Sequence, residues 1–489
     1  MTRPTAETDD HPRLADRPGL VLAIVCAGVV LPSLDLFIVN VALPQISGDF
    51  HGASLSNLSW VLNAYAIIFA ALLVPVGRLA DRASRKSGFL LGLALFTAAS
   101  ACCAVSNSVW TLVAFRGIQA VGAAAVVPTS LSLVLAAYPP ARRSAAVRTW
   151  TAMGGLAAAF GPVAGGLLVS ASWRWVFLVN IPVGIAALVA GARILPDPPG
   201  ERGPLPDAAG TALLTIGIGA LTFGLVKSDD WGWGSWRVIG LLVATAALVV
   251  AFLARSARHS SPVLELALLR SRSFSVTLGS ATLFSAAFGA MLLSVVLWAQ
   301  DGWGWSALRT GLAVAVGPAM VPLLSVAAGR LIPRLGPGAV IALGCTVFSA
   351  GVLWWAISVG SEPDYLRDLL GGMLLTGIGV GLTLPTVFST AATSLPPARF
   401  ATGSAVVSMA RQIGIAVGVA VFVAVLGTPD GPQSRLLGFQ RGWYFIAAIS
   451  LAGGLLALAL PRPGRRAATV VDDTADAAAV DGTASVSVG

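Results

Sequence analysis

Gly77-Arg-Leu-Ala-Asp-Arg-Ala-Ser-Arg-Lys86 lies between two apolar runs, and a degenerate echo, Gly329-Arg-Leu-Ile-Pro-Arg-Leu-Gly336, returns 252 positions later. A short basic loop bearing one Asp, pinned between two membrane helices, can hold neighbouring helix ends together through charge-assisted hydrogen bonds, and can also release them. One such loop is an ordinary positively charged turn. Two in register, each closing an apolar span, tie the two halves of the chain to one duplicated design.

Composition sets the class. Hydrophobic residues make up 56% and charged residues 11% of the 489, against the roughly 25% charged residues of soluble domains. The chain therefore reads as a polytopic, all-α membrane protein. Its formal charge of +9 does not point to nucleic acid, because the basic residues are scattered through short loops beside apolar runs, the pattern of a membrane protein. Cys26, Cys102, Cys103 and Cys345 all fall inside apolar runs without metal-ligand spacing and read as small apolar side chains; no metal site is expected. Lys86-Ser87 lacks the preceding glycines of a phosphate loop, so ATP hydrolysis is not expected. No catalytic cluster is present, and the chain does not read as an enzyme.

Apolar runs of about 20 residues occur at Leu20–Pro44, Leu58–Ala80, Gly88–Val105, Val109–Leu135, Thr149–Ser170 and Trp175–Ala192. Two more, Ala208–Val226 and Trp236–Ala254, follow a linker holding Pro196, Pro198, Pro199, Pro204 and Pro206. A second set of six is Phe274–Ala299, Thr310–Ala328, Gly338–Val359, Leu369–Ser389, Ala401–Leu426 and Trp443–Leu460. Fourteen spans are expected, read as six, two and six. The 252-residue offset carries the second span onto the tenth, the fourth onto the twelfth and the fifth onto the thirteenth. The expected organisation is a segment over 1–19, a six-helix bundle over 20–194, a linker with two additional helices over 195–273, a second six-helix bundle over 274–460 and a disordered tail over 461–489. With the N-terminus inside, 22 of the 31 basic residues are cytoplasmic, which sets the orientation and puts both termini in the cytoplasm. The first span follows a polar segment with no small-residue cleavage site and contains Asp35, so it reads as a retained helix.

Four segments carry a family likeness. Leu34-Asp-Leu-Phe-Ile-Val-Asn-Val-Ala-Leu-Pro44, the stretch from Gly77 to Lys86, Arg116-Gly-Ile-Gln-Ala-Val-Gly122 and Gly161-Pro-Val-Ala-Gly-Gly166 together resemble the fourteen-span drug:proton antiporter family of the major facilitator superfamily. Further likeness lies in Trp173-Arg-Trp-Val-Phe-Leu-Val-Asn-Ile-Pro182, Gln300-Asp-Gly-Trp-Gly-Trp-Ser306 and Arg411-Gln-Ile-Gly-Ile-Ala-Val-Gly418. Ser84 stands where the family usually has Gly. The resemblance covers nearly the whole chain and implies two six-helix bundles related as parallel repeats, with the segment from Gly161 to Gly166 marking exporters.

Asp35 is the one acidic residue placed well inside a span. An intramembrane carboxylate is costly and normally faces a cavity or a partner. Burial favours its neutral form and a nearby cation its ionised form, so a balanced site can load and release a proton. Arg116 is the natural cation. Helix rise places both residues at similar depth, about 22 Å along one helix and about 10 Å along the other, and Gln119 shares the face of Arg116. A structural carboxylate, and an arginine bracing helix ends, remain the alternatives. Conformational gating is assigned to Gly77, Arg78, Asp81, Arg82, Arg85 and Lys86, and to Gly161, Pro162, Gly165 and Gly166, whose small face permits close helix approach and a bend; helix packing alone is the other reading. Substrate-cavity candidates are Asn40, Trp60, Asn63, Tyr65, Gln119, Gln300, Arg411 and Gln412, several of which serve equally as packing or interfacial residues. Arg411 has no acidic partner visible in the sequence.

The expected function is proton-coupled export of small amphipathic molecules by alternating access, without a cofactor, by a monomer in the cytoplasmic membrane whose partners are substrate, protons and lipid. A carrier for one specific metabolite or lipid, and a non-transporting receptor or assembly factor, are the alternatives.

Overall fold

Every regular element among the described residues is a helix. The computed structural model describes residues 18–50, 53–197, 204–395, 400–428 and 431–461. The expected N-terminal segment up to residue 17, Pro198 and Pro199 of the linker, and the tail from 462 lie outside the described residues.

The first set comprises α1 (Pro18–Asp49), α2 (Leu55–Ala83), α3 (Arg85–Ala104), α4 (Val109–Ala137), α5 (Pro140–Ala171), α6 (Trp175–Leu178) and α7 (Asn180–Ile194). Serines begin several of them: Ser54, Ser84 and Ser108 accept from the backbone N–H groups of Asn57, Ser87 and Thr111, the usual N-cap arrangement. Next come α8 (Ala208–Val226), α9 (Ser228–Trp231) and α10 (Trp236–Arg258). The second set comprises α11 (Arg272–Leu297), α12 (Ala307–Val314), α13 (Val316–Leu335), α14 (Pro337–Ser358), α15 (Leu370–Thr393), α16 (Phe400–Leu426) and α17 (Pro432–Ala457).

Among the described residues, twelve stretches are long and apolar enough to cross a membrane; α6 with α7, and α12 with α13, each count as one. The chain is a multi-pass membrane protein. Two of the fourteen expected spans are not among the twelve. The fifth falls on α5, where the side chains of several residues before Phe160 lie outside the described residues and Phe160–Ala171 stands as a shorter apolar helix. The fourteenth falls on α17, which is 26 residues long but carries Gln433, Arg435, Gln440 and Arg441 in its first half.

In the first set α1 packs against α4, α5 and α7, α3 against α4 and α7, and α2 against α4. In the second, α11 packs against α15, α16 and α17, α14 against α15 and α17, and α13 against α15. Crossings of α2 with α16 and of α5 with α12 join the sets. Helix α8 lies against both α2 and α16 and pairs with α10, whose Ile239, Val243 and Val250 are exposed.

The stretch from Gly77 to Lys86 corrects an expectation. It is not a loop: α2 runs to Ala83 and α3 starts at Arg85, leaving only Ser84 between them. Residues 78–83 are Arg, Leu, Ala, Asp, Arg and Ala, mostly good helix formers with no breaker. Ser84 has an extended backbone at φ −163°, so the position makes no demand for glycine and its hydroxyl serves as a cap. In the echo, α13 ends at Leu335 and Gly336 takes φ 85°, the left-handed stop that glycine adopts without strain.

Candidate functional site

Asp35 and Arg116 are both fully buried and form an ion pair between Oδ2 and Nη1. The pair is the centre of a polar network. Arg116 Nη1 also donates to Gln119 Oε1 at 2.6 Å, and Nε donates to the Val61 carbonyl at 3.1 Å. Gln119 Nε2 donates to Asp35 Oδ1 at 3.1 Å and to Ser100 Oγ at 2.7 Å. Asn180 Nδ2 reaches the same Ser100 oxygen at 3.3 Å. The guanidinium carbon lies 4.1 Å above the Tyr65 ring, a cation–π contact that fixes its plane. Helices α1, α2, α3, α4 and α7 thus each supply a group.

Both carboxylate oxygens of Asp35 are thus occupied, Oδ1 by the Gln119 amide and Oδ2 by the Arg116 guanidinium. Arg116 Nη2 has no partner, so two N–H donors are left over. Ser100 and Asn180 were not singled out by sequence reasoning; Asn180 was quoted only inside the segment Trp173 to Pro182, and a serine in an apolar helix carries no signal.

The glycines of α5 form a second part of the site. A Cβ on Gly161 would lie 2.5 Å from Phe37 Cβ, and one on Gly165 would lie 3.2 Å from Ile38 Cα, both on α1. One on Gly166 would lie 2.7 Å from the Ala307 carbonyl oxygen and 2.9 Å from Leu308 Cα on α12. Helix α5 is therefore wedged between the two sets, and it continues unbroken through Pro162. Beside this wedge, Gln300 Nε2 donates to the Val41 carbonyl at 3.0 Å, tying the end of α11 to α1.

At the opposite end of α2, Arg78 donates from Nη1 to Ser261 Oγ at 3.1 Å and to the Pro262 carbonyl at 2.6 Å, and from Nη2 to Glu265 Oε1 at 2.7 Å. Its partners belong to the segment between α10 and α11. Gly77 packs on Pro128 of α4. Arg82 and Arg85 are engaged as well, and Lys86 is half-buried in the first turn of α3. The Asp81 side chain lies outside the described residues. Asp207, the N-cap of α8, accepts from Gly210 N at 2.9 Å and from Arg255 Nε of α10 at 2.6 Å. Burial pushes its carboxyl up, but the Gly210 amide, Arg255 and His259 outweigh burial and hold it below its ordinary value.

The remaining candidates are dispersed. Asn40 is buried and its Nδ2 donates to the Leu36 carbonyl at 2.7 Å. The Trp60 ring packs near Phe223 of α8, with centroids 6.0 Å apart, and its N–H has no partner. Asn63 is fully buried with neither amide atom partnered. Arg411 and Gln412 sit on α16, and their Nε and Oε1 atoms have no partner.

Comparison with known proteins places the chain. The chain is 31% identical to the tetracenomycin C resistance and export protein of Streptomyces glaucescens over 487 residues, covering 97% of this chain and 87% of that protein. It is 34% identical to the multidrug resistance protein Stp of Mycobacterium tuberculosis, covering 83% and 75%. It is 32% identical to a probable actinorhodin transporter of Streptomyces coelicolor, covering 84% and 74%. Among solved structures, a proton-dependent oligopeptide transporter superposes with a TM-score of 0.64 at 15% identity, covering 90% of this chain and 98% of that one, a likeness of fold. The profile of the Major Facilitator Superfamily matches residues 25–419, and the chain belongs to that superfamily as a membrane transporter rather than an enzyme.

Proposed function

We propose that this transporter is a proton-coupled antiporter of the fourteen-span drug exporter type, which moves small amphipathic molecules out across the cytoplasmic membrane. Two six-helix bundles, over 20–194 and 274–460, alternate in access around a central site, with both termini in the cytoplasm and the proton gradient as the energy source. A single chain suffices for this cycle.

The observation that carries the reading is the fully buried Asp35 held by Arg116 and Gln119. An intramembrane acid paired with a cation is the device of a proton relay. Export, as the direction, is supported by relatives named for resistance and export. In this conformation the pair is closed; coupling requires a second conformation in which Asp35 is released and takes up a proton.

The test is efflux from proteoliposomes under an imposed pH gradient, with proton flux recorded alongside a panel of amphipathic compounds. Asp35→Asn is expected to abolish gradient-driven efflux while leaving the protein folded in detergent. Coupled flux at the wild-type rate in that variant would return Asp35 to a structural role.

A further inference from the structure

Arg411 lies about 16 Å along α16, in a helix otherwise lacking charge between Phe400 and Leu426. Its side chain is half-buried, and Nε is buried with no hydrogen-bond partner. The ion pairs among the described residues are Asp35 with Arg116, Glu265 with Arg78, Asp49 with Arg174, Asp230 with Lys227 and Asp207 with Arg255. None involves Arg411. Because Asp35 and Arg116 cancel, the deep part of the described structure is left with one uncompensated cation.

The surroundings decide what that cation can take. The Phe388 ring of α15 lies 5.1 Å from the guanidinium carbon, which fits a cation–π contact against one face of the group. The in-plane N–H donors are not used by such a contact. One turn further along α16, a Cβ on Gly414 would run into the Thr282 carbonyl of α11 and lie 3.1 Å from Ser285 Cβ, so the backbone that carries Arg411 is anchored at a tight crossing. Gln412 Oε1, on the adjacent residue, also lacks a partner. A cation in a low-dielectric setting without a counter-ion is costly. An oxyanion removes that cost through paired, charge-assisted hydrogen bonds to the guanidinium fork, whereas a cationic ligand adds repulsion.

We propose that Arg411 anchors an acidic group of the transported molecule, so that the exported class is amphipathic anions bearing a carboxylate. This rests on the export reading above and names its substrate chemistry. The hydrophobic body would lie along the apolar surfaces around Phe388, and the anion would take the free edge of the guanidinium.

The experiment is equilibrium dialysis of the full chain in phosphatidylcholine nanodiscs against three labelled probes sharing one aromatic body: 2-naphthoate, its methyl ester and 2-naphthylmethylammonium. Wild type should bind the naphthoate about tenfold or more tighter than the other two, the scale of a charge-assisted hydrogen bond. Arg411→Gln should erase that preference and leave ester binding unchanged, which also shows that the variant is folded. Arg411→Lys should retain part of it, as a point charge without the fork. No naphthoate binding, equal binding of the three probes, or a uniform loss in Arg411→Gln overturns the proposal. So does loss of naphthoate binding when phosphatidylglycerol replaces part of the lipid, which would assign the site to a headgroup phosphate. In proteoliposomes, export of neutral and cationic compounds alone, unchanged in Arg411→Gln, overturns the anion assignment and leaves export standing. Absence of export for every compound would instead defeat the export reading, and the dialysis result would still decide Arg411.

Discussion

At the scale of single residues, Arg116 is the hub of the network around Asp35. It meets the carboxylate, Gln119 and the Val61 carbonyl while its face covers Tyr65. Removing it in Arg116→Ala leaves Asp35 with the Gln119 amide alone. The pH dependence of transport is then expected to change, read from proteoliposome rates across a pH series; an unmoved profile would separate Arg116 from the proposed coupling step. The pair was legible in the sequence because charges inside apolar runs stand out. Ser100 and Asn180 were not, for a physical reason. Thr97 and Thr129 bond back to the carbonyls of Leu93 and Ala125 on their own helices, and nothing in an apolar run tells such a self-satisfied hydroxyl from one that reaches across to Gln119.

At the scale of elements, the small face of α5 matters where it meets backbone. Gly161 faces Phe37 Cβ of α1 and Gly166 faces the backbone of α12, and neither neighbour can shift without moving its helix. Overpacking such a contact costs on the order of 1–3 kcal/mol, and only in the conformation in which α5 and α12 touch. Gly166→Leu should therefore shift the protein toward the alternative conformation, seen as faster labelling of a cysteine placed at Gln300, with protein yield retained. Unchanged labelling would make the glycine face incidental packing. A second element-level prediction concerns the α8–α10 pair. Asp207 is held below its ordinary value by Gly210 and Arg255 against the effect of burial, so its stabilising contribution is present at neutral pH and is lost as pH falls through the folded-state value. Asp207→Asn should lower the Tm in detergent at pH 7, and the gap to wild type should close in acid. A gap independent of pH would show that shape rather than charge joins the two helices. Helix existence was legible here because apolar length dictates it, whereas helix ends were not. The basic stretch after Gly77 reads as a loop by charge, yet it carries no breaker, and Ser84 alone suffices to restart the chain as α3.

At the scale of the whole molecule, the open question in the sequence is how many helices cross, and packing argues for α5 and α17 in addition to the twelve. Helix α17 runs beside α11 and α14. Near its start Phe439 stacks edge-on against Trp298, at the far end of α11, with centroids 5.1 Å apart. Near its close the Ala457 carbonyl meets Gly338, at the beginning of α14. Phe439 to Ala457 covers about 28 Å of helix, close to the roughly 30 Å of a bilayer core. Between those points Trp443 is fully buried and donates to Ser294 Oγ at 3.2 Å. Gln433 and Arg435 lie before this stretch, where Arg435 donates to the Asp301 carbonyl at 2.8 Å, while Gln440 and the exposed Arg441 fall in its first turn. Helix α5 follows α1 in the same way, from Gly154 near Ser33 to Gly165 on Ile38. If α17 crosses, three spans separate the Ser361–Asp368 loop from the chain end, so reporters at these two places must fall on opposite sides; the same side would leave α17 out of the membrane. If α5 crosses, cysteines at Pro139 and Ser172 in a background lacking the four native cysteines must differ in reaction with an impermeant maleimide added outside. Ser172 is expected to react and Pro139 to stay protected until the membrane is opened. Reaction of both from outside would break the repeat that pairs α5 with α16, and with it the two-bundle exchange on which export by alternating access depends.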